Sequence, residues 1–325
     1  MKLRAALRTL LVFTVIHLCV AGVTPAQTTP NLLTRPWDEG RHFAETIDDL
    51  VYIADGHVKD SNFDTQMFYW DSYGRIRFNR DANDPHWVLG YRILAMNEDS
   101  EFSAIKGDYW DIAMTLGYKF DAMDNGWQIS VVGGAGTAND GHFSNSDAIY
   151  GIGSVNAGRK LDPDATFNVG LRYNGNSLLF PDFPLPYAAY ERRVTDEFRF
   201  TLGLPSSAMV WWPVEMVSLK LDYNLPVTGS ANVSFWFTKT LCLFTQFDAT
   251  TDGFYIEDAD NRRIFYSMNR VTGGVRWLSK WADLRLGVGY AFDQEFERGF
   301  DLRDTHKIAK LTDEPFISLR IHGTF

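Results

Sequence analysis

The sequence predicts an all-β fold, a transmembrane up-and-down antiparallel β-barrel, and three observations predict it. The last ten residues, Phe316-Ile317-Ser318-Leu319-Arg320-Ile321-His322-Gly323-Thr324-Phe325, alternate with a period of two. In a strand this puts Ile317, Leu319, Ile321 and Phe325 on one face and Ser318, Arg320, His322 and Thr324 on the other. From about residue 73 onward the alternation recurs in segments of roughly 8 to 12 residues, separated by turn chemistry, with no long amphipathic helix between them. The chain opens on Lys2, Arg4 and Arg8, then an uncharged apolar stretch from Leu10 to Val23 and small residues near Ala26, which is the form of an export signal.

Residues 1–26 are therefore expected to be a signal peptide. The apolar stretch is shorter than the roughly 20 residues a helical span needs, and no other segment is long and apolar enough, so no α-helical anchor is expected. Cys19 invites a lipoprotein reading, but Leu18 stands where that signal needs a small residue. Loss of Lys2, Arg4 and Arg8 with the signal takes the formal charge from −10 to −13. An acidic chain of this kind argues against nucleic acid as a partner. Only Cys242 would remain, which excludes an internal disulfide, and in Thr240-Leu241-Cys242-Leu243-Phe244 it reads as a small hydrophobe.

Five segments alternate most cleanly. Trp110, Ile112, Met114, Leu116, Tyr118 and Phe120 oppose Asp111, Ala113, Thr115, Gly117 and Lys119. Phe167, Val169, Leu171 and Tyr173 oppose Asn168, Gly170 and Arg172, and Phe198, Phe200, Leu202 and Leu204 oppose Arg199, Thr201 and Gly203. Val217, Leu219, Leu221 and Tyr223 oppose Ser218, Lys220 and Asp222, and Leu284, Leu286, Val288, Tyr290 and Phe292 oppose Asp283, Arg285, Gly287, Gly289 and Ala291. A secreted β-sandwich alternates as well. The barrel is favoured because no apolar-face position in these segments is charged and because Trp87, Trp110, Trp127, Trp277, Tyr118, Tyr223 and Tyr290 fall near segment ends, as aromatic girdles require.

Turn lengths supply a second test, since such barrels join short periplasmic turns to longer external loops. Counting back from a periplasmic C-terminus, 294–314, 252–262, 175–196 and 137–147 read as external, and 279–281, 239–240, 161–164 and 124–126 as internal. The segment 224–229 is external but short, and the parity breaks near Tyr73 to Pro85. About twelve strands are expected, within a range of roughly ten to fourteen. Residues 27–72 do not alternate; Trp37, Phe43, Ile47, Leu50 and Val51 have near-helical spacing, which predicts a short helix packed on the periplasmic rim or entering the barrel as a plug. The expected layout is thus signal 1–26, periplasmic or plug segment 27–72, and a single barrel domain over 73–325.

Ending on the outward aromatic Phe325 resembles the terminal strand that the insertion machinery of bacterial outer-membrane barrels reads, so that machinery and outer-membrane lipid are the expected partners and the outer membrane the expected location. The region from Tyr73 to Phe325, with Leu179-Phe180-Pro181-Asp182-Phe183-Pro184-Leu185-Pro186, Phe200-Thr201-Leu202-Gly203-Leu204-Pro205 and Trp211-Trp212-Pro213, resembles a family of bacterial outer-membrane barrels of unknown function. The resemblance implies location and fold and assigns no catalytic residue.

The alternation nominates Arg92, Lys119, Arg172, Arg199, Lys220, Arg276, Arg285 and Arg320 as lumen-lining cations, against Asp111, Asp222 and Asp283, with His322 beside them. The acidic excess is then expected outside the wall, at Asp252, Glu257, Asp258, Asp260 and the 293–304 acids. A water-filled basic lumen concentrates anions, which predicts a narrow, porin-like pore preferring small anionic solutes; a barrel filled by paired side chains, with a purely structural role, is the alternative. The stretch Gly141-His142-Phe143-Ser144-Asn145 resembles the active-site segment of outer-membrane lipid A deacylases. That resemblance implies His142 as base and Ser144 as nucleophile of a hydrolase, although Asn156 stands where those enzymes carry the orienting acid, a role left to Asp140 or Asp147. The principal expectation is a non-enzyme. Gly133-Gly134-Ala135-Gly136 lacks the strand-to-helix setting of a phosphate loop, and no metal or cofactor is expected.

Overall fold

The computed structural model describes residues 43–61, 63–78, 87–224, 228–257 and 262–325. Among them are seventeen strands, beginning with β1 (Ala44–His57), β2 (Asp64–Arg77), β3 (Trp87–Ser100), β4 (Gly107–Lys119), β5 (Trp127–Asn139), β6 (Ile149–Asp162), β7 (Ala165–Asn174) and β8 (Leu185–Arg193). The remainder are β9 (Phe198–Leu204), β10 (Ser206–Val214), β11 (Val217–Asn224), β12 (Thr228–Trp236), β13 (Leu241–Tyr255), β14 (Arg263–Leu278), β15 (Ala282–Gly299), β16 (His306–Lys310) and β17 (Glu314–Thr324). Successive strands pair antiparallel through one sheet, and β17 returns to β1 in the register Glu45↔Thr324 to Ile53↔Phe316. The Phe325 carbonyl accepts from the Phe43 and Ala44 amides, so the last strand closes the wall. A closed sheet satisfies every ladder group internally, which a wall in lipid demands.

Both β16 and β17 lie along β15, β16 at Glu295–Arg298 and β17 at Ala282–Ala291, and together make one interrupted stave. The wall therefore has sixteen staves, not about twelve. Two of the staves absent from the sequence count are β1, which falls in 27–72, and β2, which starts there at Asp64 and runs to Arg77: the expected helix is instead strand from Ala44 onward, and the barrel begins there rather than at residue 73. The near-helical spacing of Ile47, Leu50 and Val51 has a different origin. Ile47 and Val51 face inward onto other side chains while Leu50 faces outward, so the strand is apolar on both sides. A third is β8, inside the presumed loop 175–196; its outward residues Pro186 and Ala188 are too small to register as alternation. The signal segment, Trp37, Pro85, Asp258 and Asp260 lie outside the described residues.

Turn chemistry sets the ends. At Asp124-Asn125-Gly126, Gly126 takes φ +80, a left-handed conformation that glycine adopts without a Cβ clash, while Asn125 Oδ1 accepts from the Trp127 amide at 3.1 Å. The periplasmic-side connections 163–164, 194–197, 215–216, 237–240 and 279–281 are short, as the parity rule requires. On the opposite side run 101–106, 140–148, 175–184 and 300–305, with β9 and β10 joined through Pro205 alone.

The interior is divided. At their external ends β5 and β13, far apart around the wall, meet in a parallel bridge between Asn139 and Tyr255. One side of this pinch is bounded by β13–β17 and β1–β5, and it is packed solid. Val51, Ile53, Met67, Tyr69, Leu94, Met96, Tyr109, Phe254, Ile264, Tyr266, Met268, Phe296 and Phe316 form a single buried core there. The other side, bounded by β5–β13, keeps most of its inward side chains partly or fully exposed.

Candidate functional site

In the packed half, inward charges meet across the interior. Arg92 on β3 is 6% exposed and is surrounded by three carboxylates: Nε lies 3.0 Å from Asp71 Oδ1, Nη1 3.0 Å from Asp111 Oδ2 and Nη2 3.0 Å from Asp252 Oδ1. Tyr69 donates to Asp252 at 3.1 Å and Tyr150 to Asp111 at 2.5 Å. Toward the periplasm, Asp49 joins Arg270 at 3.1 Å and Arg320 at 2.7 Å. Asp283 joins Arg276 at 2.8 Å and Arg285 at 3.0 Å, while Glu45 holds Arg75 at 3.0 Å and lies 2.9 Å from His322 Nε2. Charge-assisted pairs of this kind close a space instead of lining a water path.

Four of the nominated cations, Arg92, Arg276, Arg285 and Arg320, thus sit in paired clusters, and the expectation of a basic lumen fails in this half. Glu45, Asp49, Asp71 and Asp248 are inward acids that the alternation did not single out, and Asp252, expected outside the wall, is 3% exposed and faces Arg92. A signal was present. Gln246, Asp248, Thr250 and Asp252 follow the inward period of β13. Lys119 ends β4 opposite Ser130.

The other half holds Arg172, Arg199, Lys220 and Asp222. Lys220 pairs with Asp222 at 2.8 Å. Arg172 stacks over the Tyr187 ring, its Cζ 5.3 Å from the centroid, in the space left by Gly170, where a Cβ would come within 2.5 Å of that ring. Among the described residues no carboxylate forms an ion pair with Arg172 or Arg199. Asn156, Asn168, Thr166, Thr201, Ser230 and Asn232 complete this polar inner wall, placed on one face by register.

External segments fold over the pinch. Segment 175–184 crosses from β7 to β13–β15: Leu178 packs on Phe265 and Leu302, Arg263 donates to Asn176 Oδ1 at 3.0 Å, and the Phe180 amide donates to Asp301 Oδ2 at 3.3 Å. Burial pushes the Asp301 carboxyl up, but hydrogen bonds from the Arg303 guanidinium and from the Arg303 and Phe180 amides outweigh it and hold the group below its usual range. A carboxyl lowered in the folded state stabilises above its ordinary titration range, near 4, and loses that contribution as pH falls through the folded value. A spin label at Phe183→Cys, with Cys242→Ser, is therefore expected to keep a broadened spectrum down to about pH 4 and to sharpen below it. In Asp301→Asn it is expected to be sharp at every pH.

Loop 140–148 is held similarly. His142 Nδ1 lies 3.1 Å from Asp140 Oδ1 and Nε2 3.4 Å from Glu257 Oε2, so both ring nitrogens face carboxylates. No hydrogen bond joins Ser144 to the ring among the described residues, and the base–nucleophile contact that a hydrolase needs is not formed. His142 and Ser144 give the hydrolase reading no support.

Outside, the wall presents Met114 (57%), Leu171 (53%), Leu202 (61%), Val288 (63%) and Ile317 (57%) to the surroundings. In water this continuous apolar belt would far exceed the few hundred Å² that soluble chains expose. Trp87, Tyr118, Phe120, Trp277 and Trp281 ring its periplasmic edge, with Trp87 and Tyr118 4.7 Å apart. The chain is an outer-membrane β-barrel. Asp48 also faces outward from β1, where it accepts from Thr46 Oγ1 at 3.3 Å and Trp70 Nε1 at 3.4 Å.

No family model and no curated protein matches the chain, so the family resemblance stands on its Pro-rich segments alone. Among solved structures the barrel is similar to the deltaS2 mutant of the TodX monoaromatic hydrocarbon channel, with TM-score 0.40 and 10% identity over 94% of this chain and 96% of that one. It is similar to a bacterial polysaccharide outer membrane secretin, with TM-score 0.41 and 9% identity over 88% and 99%. The NanC porin gives TM-score 0.27 and 8% identity over 86% and 100%. Likeness at this level assigns no solute to this barrel.

Proposed function

We propose that this outer-membrane barrel is a narrow, anion-preferring channel whose pathway runs through the half bounded by β5–β13. The observation that carries the reading is the contrast in cation pairing. In the packed half the nominated arginines are bonded to carboxylates, whereas Arg172 and Arg199 face the part-exposed half without an acid partner among the described residues. Unneutralised guanidinium groups on a polar wall raise the local anion concentration. Sixteen strands are also the size at which barrels leave an aqueous lumen, which favours a channel over a purely structural barrel even with half the interior filled.

The test is the reversal potential of purified barrels in planar bilayers under a KCl gradient. A chloride-selective potential is expected, moving toward zero in Arg172→Gln/Arg199→Gln. Cation selectivity, or no current, would overturn the reading.

A further inference from the structure

A groove of about 500 Å³ runs along the outward face of the β7–β8–β9 wall, lined by Phe167, Ala188, Tyr190, Leu202, Leu204 and Ser207. It exists because β8 turns only Pro186 and Ala188 outward through mid-wall, between Val169 and Leu171 on one side and Leu202 and Leu204 on the other. A stave with small outward side chains between two with large ones leaves a trough that an acyl chain fits, and apolar burial there is favourable.

Two arginines face outward at the trough's periplasmic end. Arg159 is exposed and lies opposite Phe167 on the neighbouring strand. Arg192 donates from Nη1 to the Tyr190 hydroxyl at 3.1 Å, which places its guanidinium at the groove mouth. Asp162 stands level with Arg192, both opposite Ala165, and Asp164 follows in the β6–β7 turn; both acids are exposed and within electrostatic reach of Arg192. The Asp164 amide donates to Asp162 Oδ1 at 2.8 Å, fixing both acids in that turn. Cations and anions thus lie together at the periplasmic end of the apolar trough.

We infer that this face is a binding site for phosphatidylethanolamine of the periplasmic leaflet: an acyl chain in the trough, the phosphate on Arg159 and Arg192, and the primary ammonium on Asp162 and Asp164. A phosphodiester suits bidentate guanidinium recognition. The acids distinguish this headgroup from phosphatidylglycerol, which has no cation to offer them, and from phosphatidylcholine, whose quaternary ammonium has no N–H to donate.

The test is native mass spectrometry of the intact barrel released from detergent after equilibration with equal amounts of phosphatidylethanolamine, phosphatidylglycerol and phosphatidylcholine. The expected result is at least fivefold preference for phosphatidylethanolamine adducts, lost in Arg159→Gln/Arg192→Gln. Asp162→Asn/Asp164→Asn keeps the turn's hydrogen-bond acceptor and is expected to abolish discrimination while lipid still binds. Ala188→Phe fills the trough and is expected to reduce adducts of all three lipids. Equal retention of the three lipids by the parent barrel would overturn the assignment, as would an unchanged adduct level in the arginine double variant.

Discussion

Arg92→Met is expected to lower the stability of the folded barrel by about 3–5 kcal/mol, the cost of removing one partner from a buried ion cluster. Methionine fills much of the arginine's volume, so the loss is electrostatic. Asp71, Asp111 and Asp252 would remain 6%, 2% and 3% exposed, facing one another with no cation between them. Asp252 comes from β13 and Arg92 from β3, so the cluster also ties opposite walls together. Equilibrium unfolding in urea with detergent micelles, followed by tryptophan fluorescence, measures the change. Adding Asp71→Asn and Asp252→Asn to Arg92→Met should recover part of the loss, because the surplus negative charge is what the single variant leaves behind. A single variant within about 0.5 kcal/mol of the parent would mean that water reaches the cluster.

Val288→Arg is expected to cost about 2–4 kcal/mol, as a cation at the bilayer midplane does. Val288 is 63% exposed and stands midway between Leu284 and Phe292 on the outward face of β15, opposite Ile317. The same charge at Leu241, on the periplasmic rim, should cost only about 0–1 kcal/mol because the side chain reaches headgroups. Unfolding midpoints in lipid vesicles compare the two. Equal costs would remove Val288 from the membrane interior.

The five cleanly alternating segments all lie in strands, β4, β7, β9, β11 and β15, because in each the outward residues are large and apolar and the inward ones small or polar. Strands without that contrast were illegible. β1 carries apolar side chains on both faces, and β8 turns Pro186 and Ala188 outward. Losing β1, β2 and β8 leaves thirteen of sixteen, and the even-number rule brings thirteen down to about twelve. The inward cations could be nominated from period alone, but their pairing could not: Arg92 and Asp252 are 160 residues apart, and only the approach of β13 to β3–β5 joins them. Periodicity tells inside from outside and carries no information about which inward residues face each other across the interior. For the same reason the division into a packed half and a part-exposed half was invisible in the sequence.

That division is the central claim, and substituted-cysteine block of bilayer current tests it most directly. In a Cys242→Ser background, Thr201→Cys places a thiol on the inner wall of the part-exposed half, and Thr272→Cys places one at a site 6% exposed in the packed half. A charged methanethiosulfonate reagent is expected to reduce current through Thr201→Cys by at least half and to leave Thr272→Cys unchanged. Block at Thr272→Cys with none at Thr201→Cys would put the pathway on the wrong side of the pinch and contradict the account.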